Sequence, residues 1–186
     1  MRRLGAEEIR DSILAVDGQL STKMYGPGVF PEISDEVKAG QSHPGAGWGR
    51  SSAEDQARRS VYVHVKRSLV LPILSDFDVA DTDSSCAARF ATTQPTQALG
   101  MLNSKFLNQQ SAEFAKRLRK DVGNDVHKQV VQAYRIALSR EPDQEMVDRG
   151  IKLIQAMKTT HGLSEEKALE QFCLMTLNLN EFIYLD

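Results

Sequence analysis

Four carboxylates fall within eight residues, Asp76, Asp78, Asp81 and Asp83. A flexible turn carrying that many acidic side chains can wrap a hard cation such as calcium in oxygen ligands. In an extended run Asp76 and Asp78 would share a face. The segment lacks the glycine and closing glutamate of an EF-hand loop, and short acidic clusters more often cap turns or meet nearby arginines. Arg58, Arg59, Lys66 and Arg67 precede it and Arg89 follows it, so an internal charge network around Asp78 and Asp81 is expected. His43, His64, His127 and His161 are scattered, with no second His, Cys or Glu at zincin spacing. A catalytic His64 would need an Asp partner.

Other chemistry-bearing residue types give less. Gly45, Gly47 and Gly49 lack the preceding strand and following Lys-bearing helix of a phosphate-cradling loop. Trp48 within that glycine-rich stretch is a candidate contact for a ligand or partner, and so is Tyr62, since aromatic faces stack on sugar rings. The alternative for Trp48 is a ring folded back over the core. Ser84, Ser85 and Cys86 stand in no GxSxG elbow. Cys86 and Cys173 belong to no CxxC or CxxCH arrangement, so zinc ribbons, thioredoxin chemistry and covalent haem attachment have no support within the chain. No cofactor is expected.

The elements that position these residues follow from periodicity. Ala6, Ile9, Ile13 and Val16 recur every three or four residues, which predicts a helix with Glu7, Arg10 and Asp11 turned outward. Residues 19–60 are rich in glycine and proline and read as one long irregular segment. Val61, Val63 and Val65 alternate with Tyr62, His64 and Lys66, which predicts one short extended strand. Residues 93–186 are helical. Thr93 and Pro95 open a helix carrying Leu99 and Leu102, and a longer one follows with Leu107, Phe114 and Leu118. Gly123 and Asn124 break it, Pro142 with Asp143 opens another helix, His161 and Gly162 end that one, and Ser164 caps the last. The expected fold is all-α, a bundle of about five helices in a single domain over 1–186.

Composition narrows the function classes. With 23 Lys and Arg against 25 Asp and Glu, the formal net charge is -2, which argues against a nucleic-acid partner. The basic run Lys116, Arg117, Arg119 and Lys120 suits a helix C-terminus. No stretch approaches the roughly 20 apolar residues of a membrane span. At 186 residues the chain can bury a core without disulfide or metal.

Several segments occur in a familiar order: RRLGAEEIRDSILAV, RRSVYVHVKR, FDVAD, CAARFATTQPTQALGMLN, AYRIALSREP and LNLNEFIYLD. Together they resemble the domain of unknown function 1553, a C-terminal domain of large planctomycete-type bacterial proteins. Phe90 stands where a second arginine is usual and Thr96 where leucine commonly follows the proline, while residues 32–52 match loosely. The family has no established catalytic residues to carry across. The resemblance implies an extracytoplasmic setting, with cytochrome c-like and sometimes lectin-like domains upstream as partners. The stretch from Arg2 aligns with the interior of the family domain, so the chain is read as its C-terminal part, with Met1 marking either an imposed boundary or a truncated reading frame.

Two functions of different class follow. The first is a noncatalytic structural or interaction module of a larger envelope protein, associated with cytochrome-like or glycan-handling domains. The second is a calcium-assisted hydrolase or ligand-processing domain built on Asp76, Asp78, Asp81 and Asp83, with His64 and residues from upstream. A third reading is glycan binding through Trp48 and Tyr62.

Overall fold

The computed structural model describes residues 2–185. Among them are ten α-helices: α1 (Ala6–Val16), α2 (Asp35–Ala39), α3 (Ala53–Gln56), α4 (Pro72–Asp76), α5 (Pro95–Asn103), α6 (Lys105–Val122), α7 (Val126–Leu138), α8 (Gln144–Thr159), α9 (Glu165–Leu177) and α10 (Asn180–Ile183). The strands amount to the two-residue segments Arg2–Arg3 and Tyr184–Leu185. The fold is mostly helical, as the periodicity predicts. Its residues group into two compact units, one of 2, 16–18 and 101–185, the other of 3–15 and 19–100. Among the described residues no helix is long and apolar enough to cross a membrane.

The C-terminal unit is a helical bundle started by local signals. Ser104, Asp125, Asp143 and Ser164 each accept a bond from the backbone N–H three residues on, at the starts of α6, α7, α8 and α9. Such caps satisfy donors that a helix start leaves open, each contributing roughly 1 kcal/mol. Gly123 at φ 71 and Gly162 at φ 64 take the left-handed conformations that let the chain turn away. Helix α9 packs against α6, α7 and α8. Leu107, Phe114, Leu118, Val130, Leu169, Phe172 and Leu177 are buried, each contributing about 1.5–3 kcal/mol by leaving water. Tyr134 meets Phe172 edge to face at 5.6 Å. Cys173 is buried there as a free thiol, and burial pushes its pKa well up, which makes it inert.

The other unit is rich in loops and is held by cations. Ala6, Ile9 and Ile13 of α1 are buried as their spacing predicts. Arg10 is not turned outward: its side chain is 1% exposed. Nη1 donates to Arg58 O at 3.0 Å and Ser60 Oγ at 3.1 Å, and Nη2 to Gln56 O at 2.5 Å. These distant acceptors, together with Asp11 at 3.8 Å, make a buried guanidinium tolerable where an unpaired one would be costly. Burial lowers the Arg10 pKa to about 10, and Asp11 opposes that shift.

The predicted strand around Val63 does not form. Ser60–Tyr62 is a single 3-10 turn, Val61 is 70% exposed, and only Val63 faces the core. The pairing that remains is isolated, a parallel bridge between Val63 and Val29 and an antiparallel one between Lys66 and Leu69. Alternating β-branched residues need a neighbouring strand to complete a ladder, and the irregular segment supplies only one residue of it.

Candidate functional site

The acidic segment begins where α4 ends. Pro72 sits in the first turn of this helix, which stops at Asp76, and Phe77 is buried behind it. Asp78 takes φ 60, a left-handed conformation that Asp tolerates better than most side chains. That turn aims its carboxylate at Arg3 and Thr92. Arg3 Nη2 donates to Asp78 Oδ2 at 2.8 Å and to Phe77 O at 3.1 Å. The Thr92 N–H donates to Asp78 Oδ2 at 2.8 Å, and the Thr92 hydroxyl lies within 3.0 Å of both carboxylate oxygens. Burial pushes the Asp78 carboxyl up, but the Thr92 amide and hydroxyl and the Arg3 guanidinium outweigh it and hold the pKa below the ordinary value.

Gln97, on the first turn of α5, ties the same corner together. Its Nε2 donates to Asp76 O at 3.0 Å and to Thr92 O at 3.2 Å, while its Oε1 accepts from Gln94 N–H at 3.2 Å. The last bond is half of a capping box, closing the start of the helix that Pro95 opens. Gly100 lies one turn further on, and a Cβ there would stand 2.6 Å from Asp76 Oδ2. Partial burial raises the Asp76 pKa.

The four carboxylates therefore do not converge: Asp76 lies against Gly100, and Asp78 faces Arg3 and Thr92. Asp81 accepts from Asp83 N–H at 2.9 Å and from the Ser84 hydroxyl at 3.2 Å, an Asx-type turn. Asp83 pairs with Arg67. Among the described residues no group of three or more His, Cys, Asp and Glu side chains is placed to hold a metal ion. The charge network expected around Asp78 and Asp81 does not form from the flanking cations: Asp78 meets Arg3, Asp81 meets Asp83 N–H and the Ser84 hydroxyl, and Arg67 pairs with Asp83. Arg89 instead forks onto Glu7, at 2.9 and 2.7 Å to its two oxygens, and Arg59 approaches Asp11 at 3.8 Å.

Arg58 has a different role. It is 1% exposed, and its ring of donors reaches three carbonyls of one loop: Nε to Lys23 O at 3.3 Å, Nη1 to Pro27 O at 3.3 Å and Nη2 to Tyr25 O at 2.5 Å. The guanidinium also lies 4.0 Å from the centre of the Tyr62 ring. Tyr62 is thereby engaged, and its Oη also accepts from Tyr25 N–H at 2.9 Å.

Trp48 and His64 come together, with Phe30 between them. Phe30 lies 5.6 Å from Trp48 and 4.7 Å from His64, and Trp48 lies 6.1 Å from His64. The indole N–H donates to Pro31 O at 3.0 Å, so Trp48 is anchored and half-buried, and His64 stays exposed at the edge. Lys66 bonds to Ala46 O beneath the same loop. Sequence reasoning did not single out Phe30, Arg3, Arg10, Thr92 or Gln97. Thr92 and Gln97 lie inside the motif CAARFATTQPTQALGMLN, which was the one signal that could have pointed to them.

The bonded corner is built from those motif residues, and the family described as PSD1, protein of unknown function (DUF1553), matches residues 1–154. The chain belongs to the DUF1553 family. The match ends within α8, so the bundle's last helices, α9 and α10, lie beyond it. Within the DUF1553 stretch, Arg3, Asp78, Thr92 and Gln97 join three quoted motifs around one corner. A further motif brace crosses the end of the match: Arg140 of AYRIALSREP forks onto Glu181 of LNLNEFIYLD, with Nη2 at 2.7 Å from Oε2, and Arg140 in turn lowers the Glu181 pKa. No curated protein and no solved structure matches the chain.

Proposed function

We propose that this DUF1553 chain is a noncatalytic structural or interaction module of a larger extracytoplasmic bacterial protein of the planctomycete type, positioned beside cytochrome c-like or glycan-handling domains. The observation that carries this reading is the fate of the motif residues. Asp78, Thr92, Gln97, Arg140 and Glu181 spend their polar atoms on one another, on Arg3 or on backbone carbonyls. A general acid, base or nucleophile needs a polar atom aimed at a substrate. Residues bonded in this way act as braces.

A second reading, glycan contact, has its own observation in the Phe30, Trp48 and His64 rings gathered at the surface. Tyr62, engaged by Arg58, does not join that platform. Isothermal calorimetry of the chain against calcium chloride and against soluble polysaccharides tests these readings together. The brace reading expects no stoichiometric calcium heat and no calcium-dependent rise in Tm. A stoichiometric site lost in Asp78→Ala and Asp81→Ala would replace it with the calcium-assisted alternative. Heat with a polysaccharide, lost in Trp48→Ala, would establish the glycan reading.

A further inference from the structure

We propose that the platform of Phe30, Trp48 and His64 selects anionic sugars, binding a pyranose that carries a carboxylate or sulfate group. The inference rests on the glycan-contact reading of the same rings and names the ligand class that reading leaves open. Phe30 and Trp48 are half-buried and His64 is exposed, so the cluster meets solvent. Two glycines bracket the indole, and both are points of close approach. A Cβ on Gly49 would stand 3.1 Å from the Phe30 ring, and one on Gly47 would stand 3.7 Å from Lys66 Nζ. Phe30 also holds the far end of the loop: its N–H donates to Ser51 Oγ at 2.9 Å, and its carbonyl accepts from the Ser51 N–H at 3.3 Å. Residue 50 is thus fixed between two residues that touch Phe30, and it is an exposed arginine.

The Trp48 loop is therefore flanked by two cations, Lys66 against Gly47 and Arg50 next to Gly49. Residues 37–53 and 56–75, which supply Trp48 and His64, contain no Asp or Glu, and residues 28–33 add only Glu32. The neighbouring carboxylates are taken by other cations: Asp35 by Lys38, Asp55 by Lys23 and Asp83 by Arg67. Lys66 spends one ammonium donor on Ala46 O, and a carbonyl leaves its charge unneutralised, with donors to spare. Among the described residues neither Arg50 nor Lys66 forms an ion pair. A neutral sugar would need only ring faces and neutral donors. Two unneutralised cations beside a stacking surface match a sugar that carries negative charge, since hydrogen bonds to ionised groups are about twice as strong as neutral ones.

Trp48 is the sole tryptophan of the chain, so its fluorescence reads this loop directly. The whole chain is titrated with tetragalacturonate for carboxylate, a carrageenan tetrasaccharide for sulfate, and galactotetraose for neither. At least one anionic sugar is expected to shift Trp48 emission with about tenfold higher affinity than the neutral one, and the difference should shrink as salt is raised. Which of the two responds tells carboxylate from sulfate. Arg50→Gln and Lys66→Gln are each expected to lose most of that advantage while affinity for galactotetraose changes little. Should Lys66→Gln alter the unliganded emission maximum through its lost bond to Ala46, Arg50→Gln still carries the test. Equal affinity for all three sugars would leave glycan contact standing and overturn the charge selection. No response to any of them overturns both. Anionic binding that survives both substitutions places the anion elsewhere and also overturns the proposal.

Discussion

Replacing Asp78 separates a brace from a ligand-binding carboxylate, and the size of the effect follows from its surroundings. In Asp78→Ala the Arg3 side chain, only 4% exposed, loses its carboxylate, and the Thr92 amide and hydroxyl lose their acceptor. A hydrogen bond to a charged group contributes about 1.5–3 kcal/mol and a neutral one about 1 kcal/mol. Alanine at φ 60 adds a strain of about 1 kcal/mol. Against these stand the removed desolvation cost of the carboxylate and water entry, since 26% of the Asp78 side chain already meets solvent. The net expectation is a loss of about 3 kcal/mol. Asp78→Asn keeps the backbone tolerance and one acceptor for Thr92 and should lose only about 1–2 kcal/mol. Asp78→Gly removes the strain but keeps none of the bonds, and falls between them. Urea unfolding followed by helical circular dichroism at neutral pH gives the order Asn, Gly, Ala. If Asp78→Ala stays within about 0.5 kcal/mol of wild type, the carboxylate is not a brace and its strained backbone needs another explanation.

Two glycine-to-alanine substitutions in helices should act with opposite sign. Each gains about 1 kcal/mol of helix propensity. At Gly100 the new Cβ meets the far end of the Asp76 side chain, which can turn away, so stability should rise; at Gly150 it meets Val130 Cγ1 at 2.8 Å and Phe172 Cε2 at 2.9 Å, both fully buried, and overpacking of about 1–3 kcal/mol wins. Thermal melting of the two variants checks this, and a stabilised Gly150→Ala would refute the packing account. In acid, Asp78, Glu7 and Glu181 all have folded pKa values below their ordinary ones. Such groups stabilise the fold above the unfolded carboxyl range, near about pH 4, and that contribution disappears as pH falls through the folded values. Urea midpoints should therefore drop most steeply below about pH 4, less so in Asp78→Asn, and a steepest drop nearer neutrality would contradict the assignment.

The C-terminal bundle was legible because its punctuation is local. Asp143 and Ser164 cap helices, and Gly123 and Gly162 end them, each through atoms within a few residues. The same holds for the buried stripe of α1 at Ala6, Ile9 and Ile13. Arg10 and Arg58 were not legible, because the acceptors that let them be buried are backbone carbonyls tens of residues away, and carbonyls leave no mark on side-chain pattern. The alternation at Val61, Val63 and Val65 misled because a strand is defined by its partner, and this run finds only isolated bridges, Val63 to Val29 and Lys66 to Leu69. At the acidic segment the residue types were legible and their use was not. Arg3, Asp78 and Thr92 are far apart in sequence, and only the left-handed turn at Asp78 brings that carboxylate to the other two.

The grip of Arg58 on Lys23, Tyr25 and Pro27 is entirely through main-chain oxygens. It is therefore blind to which side chains the loop carries. The side chains of Lys23 and Met24 can change without loosening this grip, whereas Tyr25 at φ 63 and Gly26 at φ 92 hold conformations that restrict what can replace them. One buried cation fixes a form and leaves its lettering open. Members of such a family could then present different residues on the same rigid loop, and so choose different partners, without redesigning the domain beneath.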